Sequence, residues 1–197
     1  MVWLAIAVSS VMTLGSATLR DGDVIFQEST SAQSTAIRDA TQSPVTHVGV
    51  VVWQNGTAKV LEASGKTKLT PLKTWIDRGV GARYAVRRIK GRRLTDTELM
   101  SMRTLGRKLR GTPYDAKFDW SDDELYCSEL VWKLYARGAG IVLSEPETFS
   151  DLALHKPTVR ALIRRRYRKR KLPMAMPVVT PKALYVSGEL ETVWDSL

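Results

Sequence analysis

Apolar positions in the first half of the chain run together or alternate with polar ones over short segments rich in β-branched residues. These segments are VIFQ at 24–27, VTHVGVVVW at 45–53, AKVLEAS at 58–64 and RYAVRRI at 83–89. Such runs predict β-strands. Asn55–Gly56, between the second and third runs, favours a two-residue hairpin turn, so these two strands are expected to pair antiparallel.

Helical spacing dominates the second half. The segment 94–111 is amphipathic, with Thr95 and Glu98 as a capping box and Gly111 at its end. A second pattern begins at Cys127 and runs to Gly138 or Gly140. The segment 156–171 predicts a weaker helix that runs into a basic tail or loop.

The short segment TPLKTWIDRG at 70–79 reads as a helix with Thr70 as N-cap, Pro71 as its first residue and Gly79 as C-cap. Trp75 falls at a core-like position in this segment, so we expect it to pack in the core. Strands therefore come before the longer helices. That order predicts an α+β fold with an antiparallel sheet.

Residues 1–17 are apolar and carry no charged side chain. The segment is short for a membrane span of about 20 residues. It resembles the apolar region of a signal peptide, with Gly-Ser-Ala at 15–17 as a small-residue cleavage site. We expect a periplasmic or secreted protein with one domain over 18–197. If the segment is instead a buried first element, a cytoplasmic location is expected.

The net charge of +10 is concentrated in one place. Residues 156–171 hold nine Lys or Arg, whereas residues 119–129 hold five acids. The acids at 119–124 are either solvated or able to recognise a cationic group. The basic stretch 156–171 predicts an anionic polymer or membrane surface as partner. No nucleic acid is expected, because no segment resembles a nucleic-acid-binding fold. The side chains predicted to make this contact are Arg164, Arg165, Arg166, Arg168, Lys169, Arg170 and Lys171.

Cys127 is the only cysteine, so no intramolecular disulfide or cysteine-rich zinc site can form, and neither a metal nor an organic cofactor is expected. A lone cysteine is most often buried packing. This one begins a helical pattern, where free backbone N–H groups and the helix dipole favour a thiolate and can bind an oxyanion.

The hairpin offers a base for such a thiolate. A turn at Asn55–Gly56 pairs residues whose numbers sum to 111, so Glu62 lies opposite Gly49 and diagonal to His47 on the same face. Glu62 is unusual in an apolar strand, because a buried carboxylate needs a partner. His47 is a suitable partner. Taken alone, each residue also fits a structural role, and Gly49 could mark a β-bulge that shifts the pairing.

Six segments resemble, in order, the YiiX-like permuted papain-like cysteine hydrolases of the NlpC-type superfamily. They are LRDGDVIFQ, THVGVVV, VLEAS, TPLKTWIDR, GTPYDAKF and YCSELVWKLY. The segment VTPKALYVSGELE also resembles the closing segment of the family. The resemblance implies a circularly permuted papain-like fold, in which the sheet precedes the helix that carries the nucleophile. It implies Cys127 as nucleophile, His47 as general base and acid, and Glu62 as the orienting residue. Tyr114, Gln27 and Ser128 are expected to support the oxyanion or substrate.

The expected reaction is cleavage of an amide through a thioester, most readily a γ-D-glutamyl bond in a peptidoglycan stem peptide. An acyl or lipid amidase, thioesterase or acyltransferase of the same fold is the alternative, and a wide apolar groove beside Cys127 would favour it. A third hypothesis is a non-catalytic module that binds an anionic polymer through residues 156–171.

Overall fold

The computed structural model describes residues 13–14, 17–168 and 170–197. Its strands are β1 Thr13–Leu14, β2 Ala17–Thr18, β3 Val24–Gln27, β4 His47–Gln54, β5 Thr57–Ser64, β6 Lys66–Pro71, β7 Ala85–Ile89, β8 Glu147–Thr148, β9 Pro177–Val178 and β10 Leu190–Asp195. Its helices are α1 Ser34–Thr41, α2 Leu72–Asp77, α3 Asp96–Leu109, α4 Cys127–Gly138, α5 Pro157–Tyr167 and α6 Pro181–Tyr185.

The predicted signal peptide lies almost wholly outside the described residues and stays a prediction. Within the described part of the chain, no helix has the length and apolar content needed to cross a bilayer.

Six strands form one antiparallel sheet in the order β10-β7-β3-β4-β5-β6. The predicted α+β class with an antiparallel sheet is confirmed. Two further pairs, β1 with β2 and β8 with β9, are two residues long and lie outside this sheet.

The central hairpin has the predicted register. Val50 pairs with Leu61 and Gln54 with Thr57, so the partners' numbers sum to 111. The ladder between β4 and β5 ends at the Val50–Leu61 pair. Beyond it β4 continues to pair with β3, and β5 continues to pair with β6. The expected pair of Gly49 with Glu62 therefore falls past the end of the ladder.

Strand β6 was not predicted, and the assignment of Thr70 as a helix cap is wrong. Thr70 lies in β6 opposite Val60, and α2 begins at Leu72 after Pro71, while Arg78 rather than Gly79 holds the C-cap position. The cause is local. β6 is the edge strand of the sheet, where lysines and a terminal proline are common, and its composition hides the strand pattern.

Apolar cores cover both faces of the sheet. Because side chains alternate along a strand, Val24 and Phe26 join the core that contains α4, whereas Ile25 joins the core built around Trp75 of α2. Helices α3 and α4 pack together on the first face. Trp75 is fully buried, which agrees with its predicted place in the core.

The contact between α3 and α4 depends on a close approach at Gly138. Helix α3 has the predicted capping box of Thr95 and Glu98. A Cβ atom added to Gly138 would lie 2.9 Å from the Cα of Met102 and 2.8 Å from its Cγ. Such distances are too short for a methyl group, so a side chain at residue 138 would push the two helices apart.

We expect Gly138→Ala to lower the free energy of unfolding by about 1–3 kcal/mol, because overpacking outweighs the helix propensity that alanine gains. Urea denaturation measures it. Gly188→Ala is the matched control, because a Cβ there meets no atom within 4 Å. A Gly138→Ala protein as stable as the Gly188→Ala protein would contradict the close approach.

Candidate active site

Cys127 is the first residue of α4 and is only 3% exposed. The chain segment just before it is held against residues 113–115. Leu125 N–H donates to the Pro113 carbonyl at 2.9 Å, and Asp115 N–H donates to the Leu125 carbonyl at 3.1 Å. This short parallel pairing brings Tyr114 to the side of Cys127. The backbone N–H groups of the first helical turn have no acceptor within the helix and can bind an anion.

His47 is the first residue of β4, and its ring contacts both other members of the predicted trio. Its Nε2 lies 2.6 Å from Oε2 of Glu62. Cys127 lies close enough to the same ring to raise the pKa of His47. Since Glu62 occupies Nε2, Nδ1 is the nitrogen left to face the thiol. The structure thus brings Cys127, His47 and Glu62 together in the predicted order.

Glu62 is fully buried, and four donors surround its carboxylate. Besides His47, Trp75 Nε1 donates to Oε2 at 3.1 Å and the Thr70 hydroxyl donates to Oε1 at 2.5 Å. Arg78 also donates to Oε2, as a charged pair. A buried carboxylate is costly unless it is paired in this way.

This environment decides the charge states of the pair. Burial disfavours ionised Glu62, yet the hydrogen bond and charge of His47, with Arg78 and Thr70, lower the pKa of Glu62 to about 2. Burial also disfavours the imidazolium, but its contacts with Cys127 and Glu62 raise the pKa of His47 to about 9. At neutral pH the site therefore holds a carboxylate and an imidazolium, which is the partner that a thiolate needs.

Sequence reasoning missed three of the four donors to Glu62 as site residues. Thr70 was interpreted as a helix cap, Trp75 as core, and Arg78 was given no role. All three lie in the quoted motif TPLKTWIDR. The signal that could have found them is Glu62 itself, because one histidine cannot satisfy a buried carboxylate that has about four acceptor positions.

Gln27 lies on β3 directly opposite His47 and is fully buried. Neither its amide nitrogen nor its amide oxygen has a hydrogen-bond partner among the described residues. Its amide oxygen lies against the Cα of Gly79, so a side chain at residue 79 would collide with it. This close approach explains why residue 79 is a glycine, although it does not hold the predicted C-cap position. The supporting role expected of Gln27 stays a prediction.

Ser128 is buried, and its hydroxyl donates to the Val179 carbonyl at 2.8 Å. That bond joins α4 to the chain before α6 and occupies the hydroxyl proton of Ser128. The backbone N–H of Ser128 is therefore the donor that this residue can offer to the site. Burial and the negative charge of Cys127 raise the pKa of Tyr114. The Tyr114 oxygen accepts a hydrogen bond from Nε2 of Gln33 at 2.6 Å.

An apolar pocket that is open to solvent extends from Cys127. Its walls come from α1, from α5 and from the chain around Val178. Among the described residues that line it, Arg166 alone is charged. The other lining side chains are mostly aliphatic or aromatic and include Ala36, Ile37, Phe118, Phe149, Leu152, Val159, Leu162, Ile163 and Leu172.

The basic residues of the stretch 156–171 differ in their exposure to solvent. Arg166 is half-buried, its guanidinium lies 5.1 Å from the ring centre of Phe118, and it donates to the Gln33 side chain. It was expected among the residues that contact a partner, but it faces the interior instead. Lys169 lies outside the described residues. The remaining predicted contact residues are exposed: Arg164, Arg165, Arg168, Arg170 and Lys171.

In the acidic segment, Asp122 is bound within the protein. It pairs with Lys133 at 2.7 Å and with Arg137 at 2.7 Å, and these hydrogen bonds lower the pKa of Asp122 to about 2. It is therefore not free for a cationic group.

Residues 18–194 match the family described as permuted papain-like amidase enzymes, YaeF/YiiX, C92 family. The chain belongs to this family. The uncharacterized protein YiiX of Escherichia coli strain K12 is 41% identical over 172 residues, which are 87% of this chain and 84% of that protein. The predicted relationship and the predicted papain-like amidase class are confirmed.

A solved structure titled as metalloprotein yiiX from Escherichia coli O157:H7 has a TM-score of 0.85 and 40% sequence identity. The similarity covers 90% of this chain and 97% of that one. Over the described residues of this chain, no group of three or more His, Cys, Asp or Glu side chains is arranged to hold a metal ion. We therefore assign no residue here to a metal.

The two shifted pKa values predict how the site contributes to stability. The raised pKa of His47 gives a contribution that is complete below about 6.5 and is lost as pH rises through about 9. The lowered pKa of Glu62 gives one that is complete above about 4.5 and is lost as pH falls through about 2.

We expect Cys127→Ser to weaken the fall in the free energy of unfolding between pH 7 and pH 9.5, because Cys127 helps to raise the pKa of His47. Urea denaturation at several pH values measures the difference from wild type. His155→Ala, at an exposed histidine, should keep the wild-type pH dependence. Identical pH profiles for wild type and Cys127→Ser would contradict the Cys127–His47 pair.

Proposed function

We propose that this protein is a thiol amidase that cleaves acyl amides, with Cys127 as nucleophile, His47 as proton donor and acceptor, and Glu62 as the residue that orients His47. The family supplies the amidase class. The contacts among the three side chains support their roles, because a thiolate beside an imidazolium fixed by a carboxylate is what acyl transfer to sulfur requires.

The apolar cavity beside Cys127 is the observation that favours an acyl substrate. A pocket walled by Val159, Leu162 and Ile163 of α5 offers an alkyl chain a place out of water, at a gain of about 0.8 kcal/mol per buried CH₂. A peptidoglycan stem peptide carries carboxylates and amides, and these would lose their hydration there. The basic charge suits an anionic wall, so the stem peptide is the second candidate.

In the proposed reaction, the Cys127 thiolate attacks the amide carbonyl and the C–S bond forms as the carbonyl electron pair moves to oxygen. His47 gives its proton to the leaving nitrogen, the C–N bond breaks, and an amine leaves. Water then attacks the thioester as His47 removes its proton, which releases a carboxylic acid and restores the thiolate.

We expect hydrolysis of N-acyl p-nitroanilides to rise with chain length from acetyl to dodecanoyl, because each added CH₂ is buried in the cavity. Filling the cavity with Ile163→Trp should raise KM for the dodecanoyl substrate at least tenfold and leave the acetyl substrate nearly unchanged. Release of p-nitroaniline measures both.

Cys127→Ala should abolish turnover, and Val186→Trp is the matched surface control because Val186 is exposed. Rates that ignore chain length would contradict an acyl substrate. Cleavage of γ-D-glutamyl peptides with no acyl-anilide turnover would instead establish the stem-peptide activity.

The exposed arginines and lysine that follow the cavity wall in α5 suit an anionic bilayer as partner. The apolar side of α5 lines the cavity, while Arg164 and Arg165 of the same helix face solvent. A bilayer surface would attract these charges and present acyl chains near the cavity. This partner belongs to the proposal and needs its own test.

Replacing Arg164, Arg165 and Arg170 with Gln should weaken binding to phosphatidylglycerol vesicles by on the order of 10²-fold, at about 1 kcal/mol per charge. Co-sedimentation measures it. A matched variant removes three exposed charges at the end of α3 and beyond, at Arg107, Lys108 and Arg110. Equal losses in both variants would contradict a specific surface. Binding to isolated cell walls and not to vesicles would point to the wall polymer.

A further inference from the structure

Three side chains from separate parts of the chain form a line that ends beside Cys127. Arg166 of α5 donates to the Oε1 of Gln33, which lies just before α1. Nε2 of Gln33 donates to the Tyr114 oxygen at 2.6 Å. Tyr114, Arg166 and Cys127 all line the cavity.

Chemistry fixes the direction of every hydrogen bond in this line. A guanidinium has donors and no acceptor, so the atom of Gln33 that faces Arg166 must be its oxygen. The NH₂ group of Gln33 then faces Tyr114, and the Tyr114 oxygen must accept. The amide of Gln33 cannot be turned over without placing two donors against each other.

The hydroxyl proton of Tyr114 is consequently free of this line. Among the described residues, no acceptor takes that proton. Tyr114 and Cys127 line the same cavity, and Cys127 lies close enough to raise the pKa of Tyr114. The free donor is therefore in the cavity that holds the sulfur.

We propose that Arg166 and Gln33 are positioning residues that turn the Tyr114 O–H toward the carbonyl oxygen of the substrate at Cys127. When the thiolate adds to the carbonyl carbon, the electron pair of the C=O bond moves to oxygen. The Tyr114 O–H donates to that oxyanion, and no proton is transferred. The inference rests on the proposed amidase function, and it names the residues that orient the oxyanion donor.

The test uses Gln33→Glu, which keeps the size of the side chain and reverses one bond. A carboxylate at residue 33 still accepts from Arg166, but it accepts from Tyr114 as well and draws the hydroxyl proton away from the cavity. The position precedes α1 and makes no cap hydrogen bond, and an acid there suits the helix dipole, so folding should be retained. Thermal unfolding checks this.

We expect Tyr114→Phe and Gln33→Glu each to lower kcat for dodecanoyl p-nitroanilide by on the order of 10²-fold, as when one oxyanion donor is lost, with KM changed less than about threefold. In the double variant, Gln33→Glu should cost less than about threefold further. This non-additivity is the decisive readout, because a structural effect of residue 33 would persist without the tyrosine hydroxyl.

Binding of dodecanal gives a second readout that needs no turnover. Addition of the Cys127 thiol to the aldehyde forms a tetrahedral hemithioacetal, and Gln33→Glu should weaken it when Tyr114 is present. Gln54→Glu is the matched control, because Gln54 is exposed and its side chain, among the described residues, hydrogen-bonds to Lys59 alone.

Each outcome separates the two proposals. Turnover of Gln33→Glu at the wild-type rate, or fully additive losses in the double variant, would overturn the role of Gln33 and leave the amidase function standing. If wild type hydrolyses no acyl anilide but binds dodecanal, the binding series still decides the role of Gln33. Wild type that neither hydrolyses the anilide nor binds the aldehyde would overturn the proposed function and this inference together.

Discussion

A carboxylate that loses all contact with water must find its hydrogen bonds inside the protein, and Glu62 of β5 is in that position. Its four partners come from three elements: His47 from β4, Thr70 from β6, and Trp75 and Arg78 from α2 and its C-cap position. Removing any of them would leave part of a buried charge unpaired. Through this carboxylate, the edge strand β6 and helix α2 help to fix the orientation of the His47 ring.

The position of His47 at the end of a strand lets it join two layers of the molecule. Its ring stacks on Trp75, with ring centres 5.8 Å apart, in the core on one face of the sheet. Cys127 belongs to the core on the other face. From the end of β4, this one side chain can reach both layers. The permuted chain order changes nothing in this geometry, because the positions of the sheet and α4 decide it.

The cavity has a different origin from the Cys–His–Glu trio. Its walls are α1 and α5, which pack against each other although more than a hundred residues separate them in sequence, and Thr158 of α5 donates to Asp39 of α1 at 2.5 Å. Phe118 and Tyr114 reach the cavity from the loop before α4. Helix α5 thus has two different faces. Its aliphatic residues and Arg166 line the cavity, whereas its other arginines face solvent.

By itself, the sequence determined the antiparallel sheet, the register of the β4–β5 hairpin and the residues of the trio. Each of these follows from a local rule: strand alternation, an Asn-Gly turn, or a helix that begins at Cys127, together with six family segments in order. Only the tertiary structure decided the strand β6, the donors around Glu62, the inward turn of Arg166 and the apolar cavity. These depend on which distant segments meet, and lysines on an edge strand or arginines in a basic run look the same in sequence whether they face water or a buried partner.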